Sequence, residues 1–266
     1  SAGYRPMTGA AIFVYHDFVE DPAVPPPTHA YVLGQRQFAA HLGVLTAPQL
    51  RASRLGDVLA APAAGRFVLS FDDGHMSNYT VAFPMLVARG WPGCFFIVAS
   101  RVGAPRALGW RELREMAAAG MEIGSHSLTH PFLHRASAAD IRREFGESKR
   151  ILEDGLGQAI TAASLPHGSA GAQARAVIAE LGYRAFCTSE PGLVSPRTDR
   201  LAVPRIAIKQ RTPAAFLANI VAGRTLTLAT LRSCHAVKKV GKQLVGVERW
   251  RRVRRALATA TAGAGS

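Results

Sequence analysis

Short apolar runs alternate along the chain with stretches whose apolar positions recur every three or four residues. That alternation is the signature of βα units built on a parallel sheet. The runs Ala10–Tyr15, Phe67–Phe71, Cys94–Val98, Met121–Ser125, Tyr183–Cys187 and Ala202–Ile208 predict strands. Between them, Gln35–Ala47, Asn78–Arg89, Trp110–Ala119, Ser137 to about Asp154 and Ala170–Leu181 predict helices. Gly90 and Gly120 stand just past two of these helices, and Pro84 is expected to kink one of them. Ser137 with Asp140 three residues on resembles a shortened capping box. From about Thr212 the pattern is helical only. Val237, Val240, Leu244, Val247, Trp250, Val253 and Leu257 form one apolar stripe with basic residues around it. The expected division is an α/β domain over residues 1–211 and a helical extension over 212–266.

Composition narrows the class. A chain of 266 residues with 48% apolar content and mean hydropathy +0.09 can bury a sizeable core, which excludes a disordered protein. Cys94, Cys187 and Cys234 are too few for a disulfide framework and lack zinc-ribbon spacing. No apolar run reaches the roughly 18–20 residues that span a bilayer. Ser1–Met7 has no basic segment followed by an apolar one. The expectation is a cytoplasmic protein, peripheral at the inner membrane surface if its tail binds there, and secreted or periplasmic if a leader was removed.

The net charge of +14 changes the picture less than its size suggests. Residues 232–255 hold nine Lys/Arg against Glu248 alone, so this tail supplies +8. Nucleic-acid binding is therefore disfavoured. The stripe over 233–258 reads either as a helix packed on the main domain with a solvated basic back, or as one lying on an anionic membrane.

Candidate chemistry gathers at strand C-terminal ends, the edge where parallel α/β folds build sites. Asp72 and Asp73 follow the strand at Phe67, and His126 and His130 follow the strand at Met121. Two imidazoles and a carboxylate suit a borderline cation such as zinc and leave coordination open. The second aspartate is then available as a base. Each feature alone also has an ordinary reading: Asp-Asp-Gly as a turn, and HxxxH as coincidence among nine histidines.

The motifs resemble those of the polysaccharide deacetylases, the NodB-homology or carbohydrate esterase four family. Ser70-Phe71-Asp72-Asp73-Gly74 is similar to its TFDDG motif, and Ser125-His126-Ser127-Leu128-Thr129-His130-Pro131 to its H-[ST]-x-x-H motif. Gly93–Ile97, Gly120–Gly124 and Leu165-Pro166-His167-Gly168 resemble further family segments, so the resemblance runs from about Ile12 to Ile208. It implies a distorted, incomplete (β/α) barrel. It also implies Asp73, His126 and His130 as metal ligands, Asp72 as catalytic base, and a backbone N–H at the Pro166-His167 turn as oxyanion donor. The implied cofactor is a divalent metal, typically zinc, with cobalt, nickel or iron as alternatives. The implied activity is removal of an N-acetyl or other N-acyl group from an amino sugar in a polysaccharide or glycan precursor. Another linear amide as substrate, or a non-catalytic glycan-binding module, are the alternatives.

The departures are specific. Ser164 stands where the third motif usually has the arginine that holds the base, and no L-x-H follows that motif. Arg205, near the end of the last strand, is the expected substitute, or else an ordinary surface ion pair. His16, ending the first strand as Val14-Tyr15-His16, is the expected general acid, or else a structural histidine.

Overall fold

The computed structural model describes residues 7–19, 30–133, 136–168 and 172–245. In chain order its elements begin with β1 (Ala10–Tyr15), β2 (Asp17–Val19), β3 (Val32–Gly34), α1 (Gln35–Leu45), β4 (Arg51–Ala52), α2 (Leu55–Ala60) and β5 (Arg66–Phe71). Then come α3 (Phe83–Val87), β6 (Cys94–Ile97), α4 (Trp110–Ala118), β7 (Glu122–Ser125), α5 (Ala138–Leu156) and β8 (Ala162–Ser164). The chain continues through α6 (Ala172–Glu180), β9 (Ala185–Cys187), β10 (Leu193–Val194), β11 (Ile206–Ala207), α7 (Ala214–Val221) and α8 (Thr225–Val245).

Six strands lie parallel in the order β1-β5-β6-β7-β8-β9. Beyond them β11 pairs parallel with β1, and the stretch just before β11 touches β9 through one parallel bridge, Cys187 to Val203. A single bridge therefore completes the ring, which is the distorted, incomplete barrel expected.

Side-chain alternation along the strands builds the interior. Ile12, Val68, Cys94, Phe96, Ala185, Cys187 and Val203 form one buried apolar cluster with Leu55, Val58 and Leu59 of α2. Helix α2 closes the end at which the strands start: the Glu122 carboxylate, at the beginning of β7, accepts the backbone N–H of Leu55 at 2.7 Å. The opposite faces of β1, β5 and β6 put Tyr15, Phe71 and Phe95 among Phe18 and Phe38. With the far end plugged and both faces filled, the strand C-termini are left to carry polar side chains.

Local signals worked as their chemistry requires. Ser137 caps α5, its hydroxyl accepting the Asp140 N–H at 3.1 Å, and Gly157 ends the helix in a left-handed conformation. The stretch Asn78–Arg89 departs from the single kinked helix expected. It is a π-helical turn over Asn78–Ala82 followed by α3, with Pro84 in the first turn of α3, where its missing N–H costs nothing. The two-stranded pair β2–β3 was invisible beforehand, because three-residue strands carry too little periodicity.

The first compact unit runs to Arg224, one helix beyond the expected boundary at 211/212. Leu217, Ile220 and Val221 of α7 are buried, and His41 and Gln37 of α1 both reach the Thr212 carbonyl. The second unit carries α8. Val247, Trp250, Val253 and Leu257, with the second half of the 233–258 stripe that reads either as packed on the main domain or as lying on a membrane, lie outside the described residues. Among the described residues no single helix is long and apolar enough to cross a membrane.

Gly124 tests the barrel's packing. A Cβ built there would lie 2.6 Å from the Phe96 ring and 2.9 Å from the Ala162 carbonyl. Gly124→Ala is expected to cost about 1–3 kcal/mol through overpacking. A thermal or urea melt of the variant checks it, and an unchanged midpoint would contradict the packing described.

Candidate active site

The inward register that fills the barrel with apolar residues ends most of its strands on a polar one. Ile12 and Val14 are followed by His16, Val68 and Ser70 by Asp72, Gly124 by His126, Ala162 by Ser164, and Val203 by Arg205. These ends converge at one mouth.

Asp72 is the most tightly held of them. Arg205 is fully buried and grips it in a fork: Nη1 donates to Oδ1 at 2.7 Å and Nη2 to Oδ2 at 2.8 Å. Nη2 also donates to the Ser164 hydroxyl at 2.7 Å, and that hydroxyl donates on to Asp72 Oδ2 at 3.2 Å. Nε donates to the Thr188 carbonyl, and the guanidinium lies over the Phe96 ring. Burial alone would raise the Asp72 pKa, but the charge and hydrogen bonds of Arg205 hold it below the usual carboxylate range. Of the two readings open for Arg205, the surface ion pair is excluded by its burial.

Asp73, His126 and His130 form a second cluster, their ligand atoms within 4.8 Å of one another. His126 Nε2 is 3.4 Å and His130 Nε2 3.1 Å from Asp73 Oδ1. That oxygen is buried yet makes no hydrogen bond of acceptable geometry. Nδ1 of His126 lies 3.0 Å from the Ser164 carbonyl, so the Nδ1–H tautomer leaves Nε2 as a lone-pair donor. Burial pulls the His126 pKa down, but Asp72 and Asp73 outweigh it and the pKa rises. The cluster draws in a positive charge, and two imidazoles with an orphaned carboxylate oxygen fit a divalent ion.

The backbone pays for this convergence. Asp73, Ser127, His130 and His167 all adopt positive φ, which costs a non-glycine residue about 1–3 kcal/mol unless its surroundings fix it. The fixing contacts are present: Ser127 Oγ accepts the His130 N–H, and Glu144 accepts both the N–H and the hydroxyl of Thr129. Buried Glu144 of α5 thus ties down the His126–His130 loop, a role no motif signalled. Ser164 was noticed in the sequence only as a missing arginine. His75, without motif support, lies 3.6 Å from Asp73.

The His16 ring packs tilted against Tyr31, with centroids 4.5 Å apart, and its backbone carbonyl accepts a 2.6 Å hydrogen bond from the Asn78 side chain. Its Nδ1 is buried without a hydrogen bond. Burial lowers its pKa to about 4 against the upward pull of Asp72 and Asp73, so the resting imidazole is neutral at pH 7. Pro166 is buried, and exposed His167 after it stacks on Phe132 at 3.6 Å and meets the His130 ring at 4.5 Å.

A parallel α/β barrel with a two-histidine, one-aspartate cluster and an ionised carboxylate at its mouth defines the class of metal-site hydrolases. Residues 61–186, slightly under half of the chain, match the family model described as polysaccharide deacetylase. YxkH of Bacillus subtilis (strain 168) is 26% identical over 180 residues, 65% of this chain and 64% of that protein. The chain thus covers slightly less than two thirds of that relative. Poly-beta-1,6-N-acetyl-D-glucosamine N-deacetylase of Staphylococcus aureus is 24% identical over 197 residues, 67% of this chain and 68% of that one. The fold is similar to Streptococcus pyogenes deacetylase PplD in complex with acetate, with TM-score 0.74, 23% identity, and coverage of 82% of this chain and 99% of that one.

Arg205→Met is expected to cost about 3–5 kcal/mol at neutral pH, because it leaves the Asp72 carboxylate buried and unpaired. The pH dependence fixes the cause. In the parent the folded pKa lies below the unfolded value of about 3.9, so the pair's contribution is complete above that value. It is lost as pH falls through the folded pKa. In the variant the buried carboxyl titrates above its unfolded value, and mild acidification restores part of the lost stability. Urea unfolding of the metal-free proteins at neutral and mildly acidic pH checks this; a deficit independent of pH would contradict it.

Proposed function

We propose that the barrel is a divalent-metal-dependent hydrolase removing the N-acetyl group of an amino sugar in a polysaccharide or glycan precursor. The observation that carries this reading is the ionised, Arg205-clamped Asp72, whose Oδ2 lies 3.9 Å from His126 Nε2 of the metal cluster. Asp73, His126 and His130 would hold the ion, taken as zinc, with cobalt, nickel or iron as alternatives that the same donor set accepts. Such an ion supplies Lewis acidity toward the acyl oxygen and toward water.

The chain's own groups do the rest. Asp72, kept ionised by Arg205 and Ser164, takes a proton from the attacking water as general base. The backbone N–H at His167, in the left-handed turn after Pro166, faces the developing oxyanion. His16 delivers a proton to the departing amine nitrogen. Because its imidazole rests neutral, it takes up the proton during the cycle, from Asp72, before passing it on. Asn78 and Tyr31 hold it in place for that transfer.

Asp72→Asn is expected to retain metal while acetate release falls by about 10²-fold or more. His126→Ala and His130→Ala lose metal and turnover together. Metal content by mass spectrometry beside acetate release from N-acetylated oligosaccharides separates the two roles. If Asp72→Asn strips metal as thoroughly as His126→Ala, the division between Asp72 and Asp73 is wrong. His16→Gln keeps its metal and loses turnover; near-normal turnover would pass the donor role to His167.

A further inference from the structure

Beside the metal cluster lies a cavity of about 440 Å³ that the reaction just described does not use. Asp73 and His75 form one wall, and Arg101 and Arg106 line it from the loop after β6. That loop is fastened to the catalytic turn. Leu108 N–H donates to the Gly74 carbonyl at 2.9 Å, Met76 N–H to the Arg106 carbonyl at 2.7 Å, and His75 bridges Ala107. Arg106 is held at φ 64°, a conformation costly for a side chain of its size. The two guanidiniums are thus presented by a loop whose backbone is fixed to Gly74, His75 and Met76, directly after the metal-cluster carboxylate Asp73.

The cavity lining sets two guanidiniums, Arg101 and Arg106, against two carboxylates, one of which is Asp73 of the metal cluster. Asp17 is its other carboxylate, and one of its oxygens already accepts the Ser77 hydroxyl at 2.6 Å and the Phe18 N–H at 2.8 Å. Its second oxygen is 3.7 Å from Arg106, a loose and exposed pairing of small worth. Asp73 is turned to His126 and His130. Among the described residues Arg101 has no carboxylate within salt-bridge distance. With Asp73 committed to the metal cluster, two exposed, always-charged, fork-shaped donors stand against the single carboxylate of Asp17, at a cavity roomy enough for a sugar residue.

We propose that this cavity is a substrate subsite for an anionic group, a carboxylate or a phosphate, on the sugar neighbouring the one deacetylated. The inference rests on the deacetylase reading and gives the substrate its charge: an acidic N-acetylated glycan in preference to a neutral one. Arg101 and Arg106 hold the anion, and the fixed loop sets its distance from the metal cluster.

The test compares three oligosaccharides of equal length. One is a neutral N-acetylglucosamine oligomer, one alternates N-acetylglucosamine with glucuronate, and one carries phosphodiester links. The readout is the ratio of kcat/KM for acetate release, acidic over neutral. The zinc-loaded protein is expected to favour one acidic oligomer by about tenfold or more, as a charge-assisted pair allows, and to lose that preference at high salt. Whichever acidic oligomer is favoured identifies the anion as carboxylate or phosphate. Arg101→Gln/Arg106→Gln brings the ratio close to one. A ratio near one in the parent, or an unchanged ratio in the double variant, overturns the subsite. Should no oligomer release acetate, the deacetylase reading fails separately. Calorimetric binding of the same three oligomers to the zinc-loaded protein then decides the subsite: tighter acidic binding that the double variant abolishes supports it, and equal binding overturns it.

Discussion

The site depends on one buried ion pair. An aspartate at a barrel mouth walled by Phe96 and the surrounding strands would surrender its charge to burial unless a cation met it with full geometry. Arg205 does so with two parallel hydrogen bonds, and Ser164, Thr188 and Ser70 take its remaining donors. A buried pair of this kind adds little net stability, because desolvation consumes most of its attraction. What it secures is a permanent negative charge and a single carboxylate orientation. The same Ser164 also presents its carbonyl to His126, so one residue aligns Asp72 and orients His126.

This arrangement explains how the third motif can lack its arginine. The guanidinium arrives instead from the segment that closes the ring, between the Val203 bridge and β11. In a barrel the last strand lies beside the first, so a cation supplied from there reaches the same point in space. The shorter serine at position 164 leaves room for it and hydrogen-bonds to it. The cation that meets Asp72 thus comes from the ring-closing segment and not from position 164. Arg101 and Arg106 line the neighbouring cavity, on a loop fixed to the turn that follows Asp73.

Much of this was legible in the sequence because inward register is a period-two property. Ile12-Val14-His16 and Val68-Ser70-Asp72 each run apolar to polar along one face, which marks both the core and the mouth. Asp73, His126 and His130 were legible from motif spacing, and Arg205 from its place near the end of the last strand. What stayed hidden depends on contacts between residues distant in sequence. Glu144 reads as one more helix glutamate until the fold sets it on Thr129, and Asn78 as an ordinary helix residue until its side chain meets the His16 carbonyl. The boundary after residue 211 fell one helix early because burial of α7 against α1 cannot be read from a helical pattern alone. The left-handed backbone at Asp73 and His130 was hidden as well, since neither residue is glycine and only the surrounding hydrogen bonds hold it there.

The central claim is that Arg205 keeps Asp72 ionised in the resting protein. Carbon-13 NMR of aspartate carboxyls, titrated in the metal-free chain with Asp72→Asn as the assignment control, measures it directly. The account predicts that the Asp72 carboxyl titrates below the ordinary aspartate value of about 3.9, and that its titration moves above that value in Arg205→Met. An Asp72 resonance titrating at or above the ordinary value in the parent protein would contradict it.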